Sequence, residues 1–272
     1  MDSKIIKLPD NTASVLAGHS VTSANILCKY MDKLEYLFRI LEDLAIKPRY
    51  VEEIIDYLNI PGFSSITLPM ICFCDIPFSK VSRHTQNYGQ YGIAFYKEKC
   101  FYKNVQPITY INLNSNYYSD FSDTISSIIH AEEELDDKWR FMSDFILTQI
   151  AYSKPIVGEM HTKKGKETLL FKDECEWRYI PNLPSDMELV LNPINASPEG
   201  REIYNRALAS EKCKSAWFCF NPDEICYLIV PNESAALNLI NFINSRKIKL
   251  DRRTKNALIS KIEITSKIVH DY

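Results

Sequence analysis

The stretch Leu68-Pro69-Met70-Ile71-Cys72-Phe73-Cys74-Asp75-Ile76-Pro77 is a nearly continuous apolar run bounded by prolines. Its length and its β-branched and aromatic side chains favour a buried strand over a helix. A second apolar segment, Tyr91–Tyr96, follows Gly89 and also predicts a strand. Because the connection between the two segments is short, we expect 69–76 and 91–96 to be neighbours in one sheet.

The rest of the chain alternates between helical and strand patterns. Leucines at three- and four-residue spacing predict an amphipathic helix over about 31–46. Further helices are predicted over 51–58, 120–151, 232–244 and 251–260. Further strands are predicted over 108–113, 174–180, 187–191, 216–220, 225–230 and 261–265. We therefore expect an N-terminal arm over 1–25 and one α+β domain over 26–272, with a mixed, largely antiparallel sheet flanked by helices.

Composition narrows the class of protein. The 272 residues are 46% apolar and 25% charged, which is typical of a soluble globular protein and excludes disordered and low-complexity chains. No apolar run reaches the roughly 20 residues of a membrane-spanning helix. The start Met1-Asp2-Ser3-Lys4 lacks the pattern of a secretory signal, and the eight cysteines are scattered as reduced thiols would be. We expect a cytoplasmic protein without a membrane partner.

The net charge of −3 conceals a basic segment over 246–267, which holds eight basic and two acidic residues, a net +6. Such a segment can bind nucleic acid or an acidic partner. Alternatively it is a charged helix face, because Ile248, Leu250, Leu258 and Ile259 interleave as core contacts would.

Patterns for metal binding are weak. Cys72 and Cys74 share one strand face, but no second pair of cysteines or histidines has matching spacing. His130 and Glu134 lie one helical turn apart without the usual zinc-protease pattern. We therefore expect no metal site.

Polar and aromatic residues follow the first strand and suggest a ligand pocket. Asp75 ends the strand, and His84, Tyr88 and Tyr91 come before or at the start of the next one. Such groups on a segment held by two strands suit ligand binding. The alternative is a capping aspartate, a surface histidine and tyrosines at a sheet edge. The pocket hypothesis predicts that these four side chains converge in one cleft that also receives Glu176.

A second polar motif is Asp173-Glu174-Cys175-Glu176-Trp177-Arg178-Tyr179-Ile180-Pro181. On a strand, Glu174, Glu176 and Arg178 share one face. Two carboxylates and an arginine can stabilise positive charge that develops at a sugar carbon. They can equally form a salt-bridged strand face in water.

Five motifs follow one another in order. They are Leu37-Phe38-Arg39-Ile40-Leu41, then Pro48-Arg49-Tyr50, then Met70 to Pro77, then His84 with Tyr88-Gly89-Gln90-Tyr91-Gly92-Ile93, and finally Glu176 to Pro181. Together they resemble the AbiGi family of bacterial abortive-infection proteins, which protect cells against phage. The resemblance runs from about residue 24 to 181. It implies an antitoxin, whose partner in the family resembles a nucleotidyltransferase toxin.

The order of these motifs is also similar to that of ADP-ribosyltransferases, which implies an ADP-ribosyltransferase-like fold and NAD as a substrate. In that chemistry Glu176 would be the catalytic residue that stabilises an oxocarbenium-like transition state at the nicotinamide ribose. Lys29 stands where relatives carry a ribose-binding histidine. Arg49 or Arg178 would hold the pyrophosphate through bidentate contacts. Cleavage of NAD, with transfer of ADP-ribose or hydrolysis, and a non-catalytic antitoxin both stay open.

Overall fold

The computed structural model describes residues 24–60, 62–129, 137–162 and 165–268, so most of the predicted N-terminal arm lies outside the described residues. The strands are β1 Ile26–Met31, β2 Ala45–Ile46, β3 Arg49–Ile54, β4 Ser65–Cys74, β5 Tyr91–Tyr96, β6 Val105–Pro107, β7 Thr109–Ile111, β8 Ser153–Pro155, β9 Val157–Thr162, β10 Gly165–Leu170, β11 Glu176–Tyr179, β12 Phe218–Cys219, β13 Ile225–Val230 and β14 Ile262–Ile264. The α-helices are α1 Leu34–Asp43, α2 Ser82–Tyr88, α3 Lys97–Cys100, α4 Asn116–Ile129, α5 Asp137–Ala151, α6 Pro198–Leu208, α7 Glu233–Asn244, α8 Arg252–Ile259 and α9 Thr265–Ile268.

Eight strands form the main sheet, in the order β14-β13-β5-β1-β4-β11-β6, with β3 paired to the other end of β4. The β13–β14 pair is parallel, whereas the other strand pairs of this sheet are antiparallel. This confirms an α+β fold with a mixed, largely antiparallel sheet and helices.

The predicted strands β4 and β5 lie in one sheet, but the prediction that they are neighbours was wrong. Strand β1 lies between them and pairs with β5 along its whole length, and with β4 at Cys28 and Cys74. Because both strands are antiparallel to β1, they are parallel to each other, and parallel strands need a crossover rather than a hairpin. The connection contains α2, which provides that crossover.

Other corrections concern short strands. The predicted helix over 51–58 was wrong. Its residues 51–54 belong to β3, which pairs with residues 65–70 of β4, and a 3₁₀ turn at Asp56–Leu58 follows. The predicted strand over 187–191 has no regular pairing. The strand predicted over 174–180 begins only at Glu176, since Cys175 adopts a left-handed conformation after a 3₁₀ turn over Phe171–Glu174. The strands predicted over 108–113 and 216–220 shorten to β7 and β12.

Local sequence signals determine where several helices begin. The predicted helices over 31–46 and 251–260 appear as α1 and α8, and Asp251 caps α8. Asn232 caps α7 by accepting from the Ala235 backbone N–H at 3.0 Å. The helical region predicted over 120–151 contains α4 and α5, with 130–136 outside the described residues.

The two faces of the sheet differ in what covers them. One face carries the largest apolar cluster, which includes Leu27, Ile93 and Phe95 and packs against α1 and α7. The opposite face carries two smaller clusters, one around Cys74 and the other formed by β4 with α4 and α5. Strand β11 places Glu176 beside Cys74 and Arg178 beside Cys72 on this second face. The charged side chains therefore lie between two apolar clusters.

Candidate functional site

Glu176 is the centre of a buried ion network. Its side chain is only 6% exposed, and it contacts two cations. The Arg178 Nε donates to Glu176 Oε1 at 2.7 Å, and Lys154 Nζ lies 2.8 Å from Oε2. The Glu176 backbone N–H donates to the Tyr110 hydroxyl at 2.8 Å, which also fixes the start of β11. Both carboxylate oxygens are therefore occupied by protein groups.

Arg178 joins this carboxylate to a third element. Its side chain is fully buried, and its NH2 group donates to Glu53 Oε2 at 2.7 Å. Its NH1 group donates to the backbone carbonyl of Ala151, at the end of α5, at 2.6 Å. A buried guanidinium needs such a set of acceptors, because an unpaired buried charge is strongly unfavourable.

Lys154 connects the buried Glu176 to Glu174, which lies nearer the surface. Besides Glu176 it contacts Glu174 Oε2 at 3.3 Å. The Tyr88 hydroxyl donates to Glu174 Oε1 at 2.6 Å. Lys154 and Glu53 were not predicted as site residues, since a lysine on a three-residue strand and a glutamate in a predicted helix carry no recognisable motif.

The charges of the network stabilise one another. Burial alone would raise the pKa of Glu176, but Lys154 and Arg178 outweigh burial and hold that pKa well below its usual range. Burial would lower the pKa of Lys154, but Glu176, Glu53 and Glu174 raise it well above its usual value. Glu176, Lys154 and Arg178 are therefore all charged at neutral pH.

A cleft of about 450 Å³ opens next to this network. Four predicted site residues line it: Asp75, His84, Tyr88 and Glu174. Its other lining residues are Ile76, Pro77, Lys80, Asn87, Leu169, Leu170, Asp173 and Cys175. The volume is in the range of small-molecule pockets. Glu176 does not line the cleft and lies behind Glu174 and Lys154.

His84 forms part of the cleft wall through its ring. The ring lies 4.4 Å from that of Tyr88 and 5.6 Å from that of Tyr30, measured between centroids. Burial lowers the pKa of His84 to about 4, although the Glu176 carboxylate opposes this. His84 is therefore neutral at pH 7 and acts as an aromatic surface.

The depressed pKa of His84 predicts a dependence of stability on pH. In the unfolded chain His84 becomes protonated below about pH 6.5, whereas in the folded chain it becomes protonated only near pH 4. Acidification therefore favours unfolding. We expect the free energy of unfolding to fall by about 2–3 kcal/mol more between pH 7 and pH 4 in the wild type than in His84→Gln. Denaturant titrations at each pH measure this difference. Parallel pH profiles of the two proteins would contradict the assignment.

The structure places three predicted site residues away from the cleft. Tyr91 packs against the largest apolar cluster, on the other face of the sheet from Glu176. Arg49 is exposed at the start of β3 and pairs with Glu202 at 3.3 Å. Lys29, on β1, does not line the cleft either; burial lowers its pKa, and Cys72, Cys74 and Glu176 oppose this shift. Among the described residues, Lys29 has no ion pair with Glu176.

The basic segment over 246–267 is folded and partly packed. Ile248 and Leu258 are buried, and Leu250 and Ile259 pack against the same cluster, as the helix-face alternative predicts. Lys255 Nζ donates to the Ser245 carbonyl at 2.9 Å. Of the side chains that the structure describes in this segment, five basic ones are exposed: Arg246, Lys247, Lys249, Arg252 and Arg253.

The described ranges show neither a cluster of metal ligands nor a helix that could cross a membrane. They contain no group of three or more His, Cys, Asp or Glu side chains that could hold a metal ion. Cys72 and Cys74 are free thiols, and burial raises the pKa of both, that of Cys74 to about 12. His130 and Glu134 lie outside the described residues. None of the helices described is long and apolar enough to span a bilayer.

Comparison with known proteins gives the family. No solved structure matches this chain, so the ADP-ribosyltransferase-like part of the fold prediction stays a prediction. A protein of Lactococcus lactis subsp. cremoris named "Abortive phage resistance protein AbiGi" is 29% identical over an alignment of 251 residues, which covers 84% of this chain and 100% of that protein. The family model described as "Putative abortive phage resistance protein AbiGi, antitoxin" matches residues 45–231. The chain belongs to the AbiGi family.

Proposed function

We propose that this chain is the antitoxin of an anti-phage abortive-infection system and acts by binding a partner toxin, without catalysis of its own. The observation that carries the proposal is the enclosure of Glu176. A carboxylate that stabilises positive charge on a sugar must contact that sugar. Both oxygens of Glu176 instead bind Lys154 and Arg178, and its side chain is 6% exposed. The family description supplies the class of partner.

The basic segment supports a contact with an acidic surface of the toxin. Its five exposed basic side chains belong to a segment whose backbone is held in place by the buried residues Ile248 and Leu258. Binding a partner therefore costs little conformational entropy of the backbone. Charges arranged in this way raise the rate of association and favour a partner of opposite sign. Nucleic acid is the other class of acidic partner that the segment could bind, and the family description gives it no support.

Charge reversal of the basic segment tests the antitoxin proposal. The chain is co-expressed with the toxin of its own defence locus, and growth of the cells is measured. Wild type should restore growth, whereas Lys247→Glu, Lys249→Glu and Arg253→Glu combined should lose that rescue. The matched control combines Arg206→Glu and Lys212→Glu, two exposed basic residues elsewhere, and should still rescue. A wild-type chain that cannot restore growth would contradict the proposal.

A second candidate function is the binding and cleavage of NAD in the cleft. One observation favours it, namely that Lys154 links Glu176 to Glu174, which lines the cleft with Tyr88. A nicotinamide ribose in the cleft would therefore be one ion pair away from the predicted catalytic carboxylate. This function requires Lys154 to leave Glu176. Neither Arg49 nor Arg178 lines the cleft, so neither is placed there to hold a pyrophosphate.

An NAD-consumption assay with purified protein separates the two functions. If Glu176 stabilises the transition state, Glu176→Gln should lower the rate by about 10²–10³. The antitoxin proposal expects no NAD consumption by the wild type, and expects Glu176→Gln to keep its rescue of growth if it folds. Circular dichroism of each variant establishes folding first. NAD loss with the wild type that Glu176→Gln abolishes would overturn the non-catalytic proposal.

A further inference from the structure

Strand β10 has an unpaired edge. Among the described strands it pairs with β9 alone, and Thr162 lies opposite Gly165 across a two-residue turn. Residues that flank such a turn are hydrogen-bonded to each other, and bonded and non-bonded positions alternate from there. The backbone N–H groups of Lys166, Thr168 and Leu170 therefore point away from β9. The N–H groups of the exposed Thr168 and Leu170 donate to no residue that the structure describes.

The main sheet, in contrast, protects its outer strands. On β3 the Tyr50 N–H donates to Asn205 of α6 at 2.7 Å, so a helix covers this edge. Strands β6 and β14 have three residues each, and they contain Pro107 and Glu263 respectively. Short strands, prolines and charges are the usual protection of a sheet edge. Residues 168–170 of β10, which are Thr-Leu-Leu, contain neither a proline nor a charge, so this edge is open to pairing.

The cleft lies along this open edge. Leu169 and Leu170 both line it, although consecutive residues of a strand point to opposite faces. No described residue of β9 lines it. A cleft that both leucines reach, and β9 does not, lies at the free edge of β10 rather than over one face. Helix α2 forms the opposite wall with His84, Asn87 and Tyr88. Peptide-binding domains accept an extended peptide as an added strand at an edge of this kind.

The charges of the cleft lining compensate one another. Three carboxylates and one lysine line the cleft, and two of the carboxylates are in ion pairs, Asp75 with Lys97 and Glu174 with Lys154. The remaining two charges, those of Asp173 and Lys80, are opposite in sign. Ile76, Pro77 and the two leucines of β10 provide apolar surface between them. Charge complementarity therefore favours an uncharged, apolar segment in this cleft.

The cleft has room for one strand. A residue of a strand takes up about 3.4 Å along the strand, about 4.8 Å between strands and about 10 Å between packed layers, which is roughly 160 Å³. A volume of about 450 Å³ therefore holds about three residues. A hairpin of a second copy is two strands wide and does not fit. Asn87, on the opposite wall, has a side-chain amide without a hydrogen bond to any described residue, so it is available to the backbone of an added segment.

We propose that an extended, uncharged segment of the partner toxin adds to β10 as a further strand and fills the cleft with its side chains. This proposal rests on the antitoxin function proposed above, and it specifies a second contact besides the basic segment. The Thr168 and Leu170 N–H groups donate to backbone carbonyls of the added segment, and the Thr168 carbonyl accepts from one of its N–H groups. Backbone hydrogen bonds supply affinity, and the apolar lining selects the side chains.

Hydrogen–deuterium exchange, resolved by residue, tests strand addition on the full chain, free and with the purified toxin of its own defence locus. The Thr168 and Leu170 amides should exchange rapidly in the free chain and at least tenfold more slowly in the complex. The Glu167 and Leu169 amides already bond to β9, so they are the internal reference and should change less. Toxin binding without slower exchange at Thr168 and Leu170 would overturn strand addition and leave the antitoxin function standing. A toxin that does not bind at all would overturn both.

The free chain distinguishes the toxin from other occupants of the edge. Slow exchange of the Thr168 and Leu170 amides without toxin, at every protein concentration, would identify a segment of the same chain. Slow exchange that develops only as the protein concentration rises would identify a second copy. Either result would overturn the assignment of this edge to the toxin.

Thr168→Pro tests the edge itself. Proline has no N–H, and its ring occupies the space of an incoming strand. Because the Thr168 N–H points away from β9, the substitution removes no hydrogen bond of the hairpin. Titration calorimetry with the purified toxin should show binding that is weaker by about tenfold or more.

Thr168→Ala is the matched control for this variant. It keeps the N–H group and removes only an exposed side chain, so its affinity for the toxin should stay within about twofold of the wild type. Circular dichroism establishes first that both variants fold. A folded Thr168→Pro with wild-type affinity would overturn the proposal. If Thr168→Pro does not fold, the exchange measurement on the wild type decides.

Discussion

Replacing Arg178 by methionine is expected to lower the free energy of unfolding by about 3–5 kcal/mol. The guanidinium is fully buried and donates to Glu176, Glu53 and the Ala151 carbonyl. Methionine has a similar length but no donor, so two carboxylates and a carbonyl lose their partner inside the protein. Denaturant unfolding of the two proteins at pH 7 measures the loss.

Arg206→Met is the matched control for this change. Arg206 is 77% exposed on α6 and pairs with Glu202 at 3.2 Å, one helical turn away. Exposed pairs of this kind contribute little, so we expect a change within about 0.5 kcal/mol. Equal stabilities of the two variants would show that the buried network contributes no more than a surface pair.

The apolar strands and the capped helices could be predicted because their signals are local. Strands β4, β5 and β13 are short apolar runs between turn residues, and Asn232 caps α7 as the sequence predicts. The pairing of these strands is not a local property. Strand β1 lies between β4 and β5 and pairs with both, so the expected β4–β5 pair does not form. The connection from β4 to β5 runs through α2 and passes over β1.

The candidate site could be predicted only in part for the same reason. Alternation along β11 places Glu176 and Arg178 on one face, as expected. The alternatives considered for that face were water or a polar cleft, whereas it is buried against Lys154 and Glu53. These two residues are separated from Glu176 by 22 and 123 positions in the sequence, so no spacing pattern relates them to it. The burial of Arg178 therefore follows from tertiary contacts alone.

Replacing Gly89 by alanine is expected to lower the free energy of unfolding on the order of 4 kcal/mol. Gly89 ends α2 with φ +108° and ψ 168°, a conformation that is nearly exclusive to glycine. A Cβ atom there would lie 2.2 Å from the Met31 carbonyl carbon and 2.4 Å from the Asp32 nitrogen. These are backbone atoms at the end of β1, so they cannot rotate away. Thermal and denaturant unfolding measure the loss.

Gly62→Ala separates the two causes of this effect. Gly62 also has a positive φ, +82°, but an added Cβ would meet no atom within 4 Å. It therefore carries the backbone strain without the clash, and we expect a cost of about 1 kcal/mol. Helix α2 also carries His84 and Tyr88, so a shift of its end against β1 should change the cleft. Equal losses of stability in the two variants would contradict the close approach of Gly89 to β1.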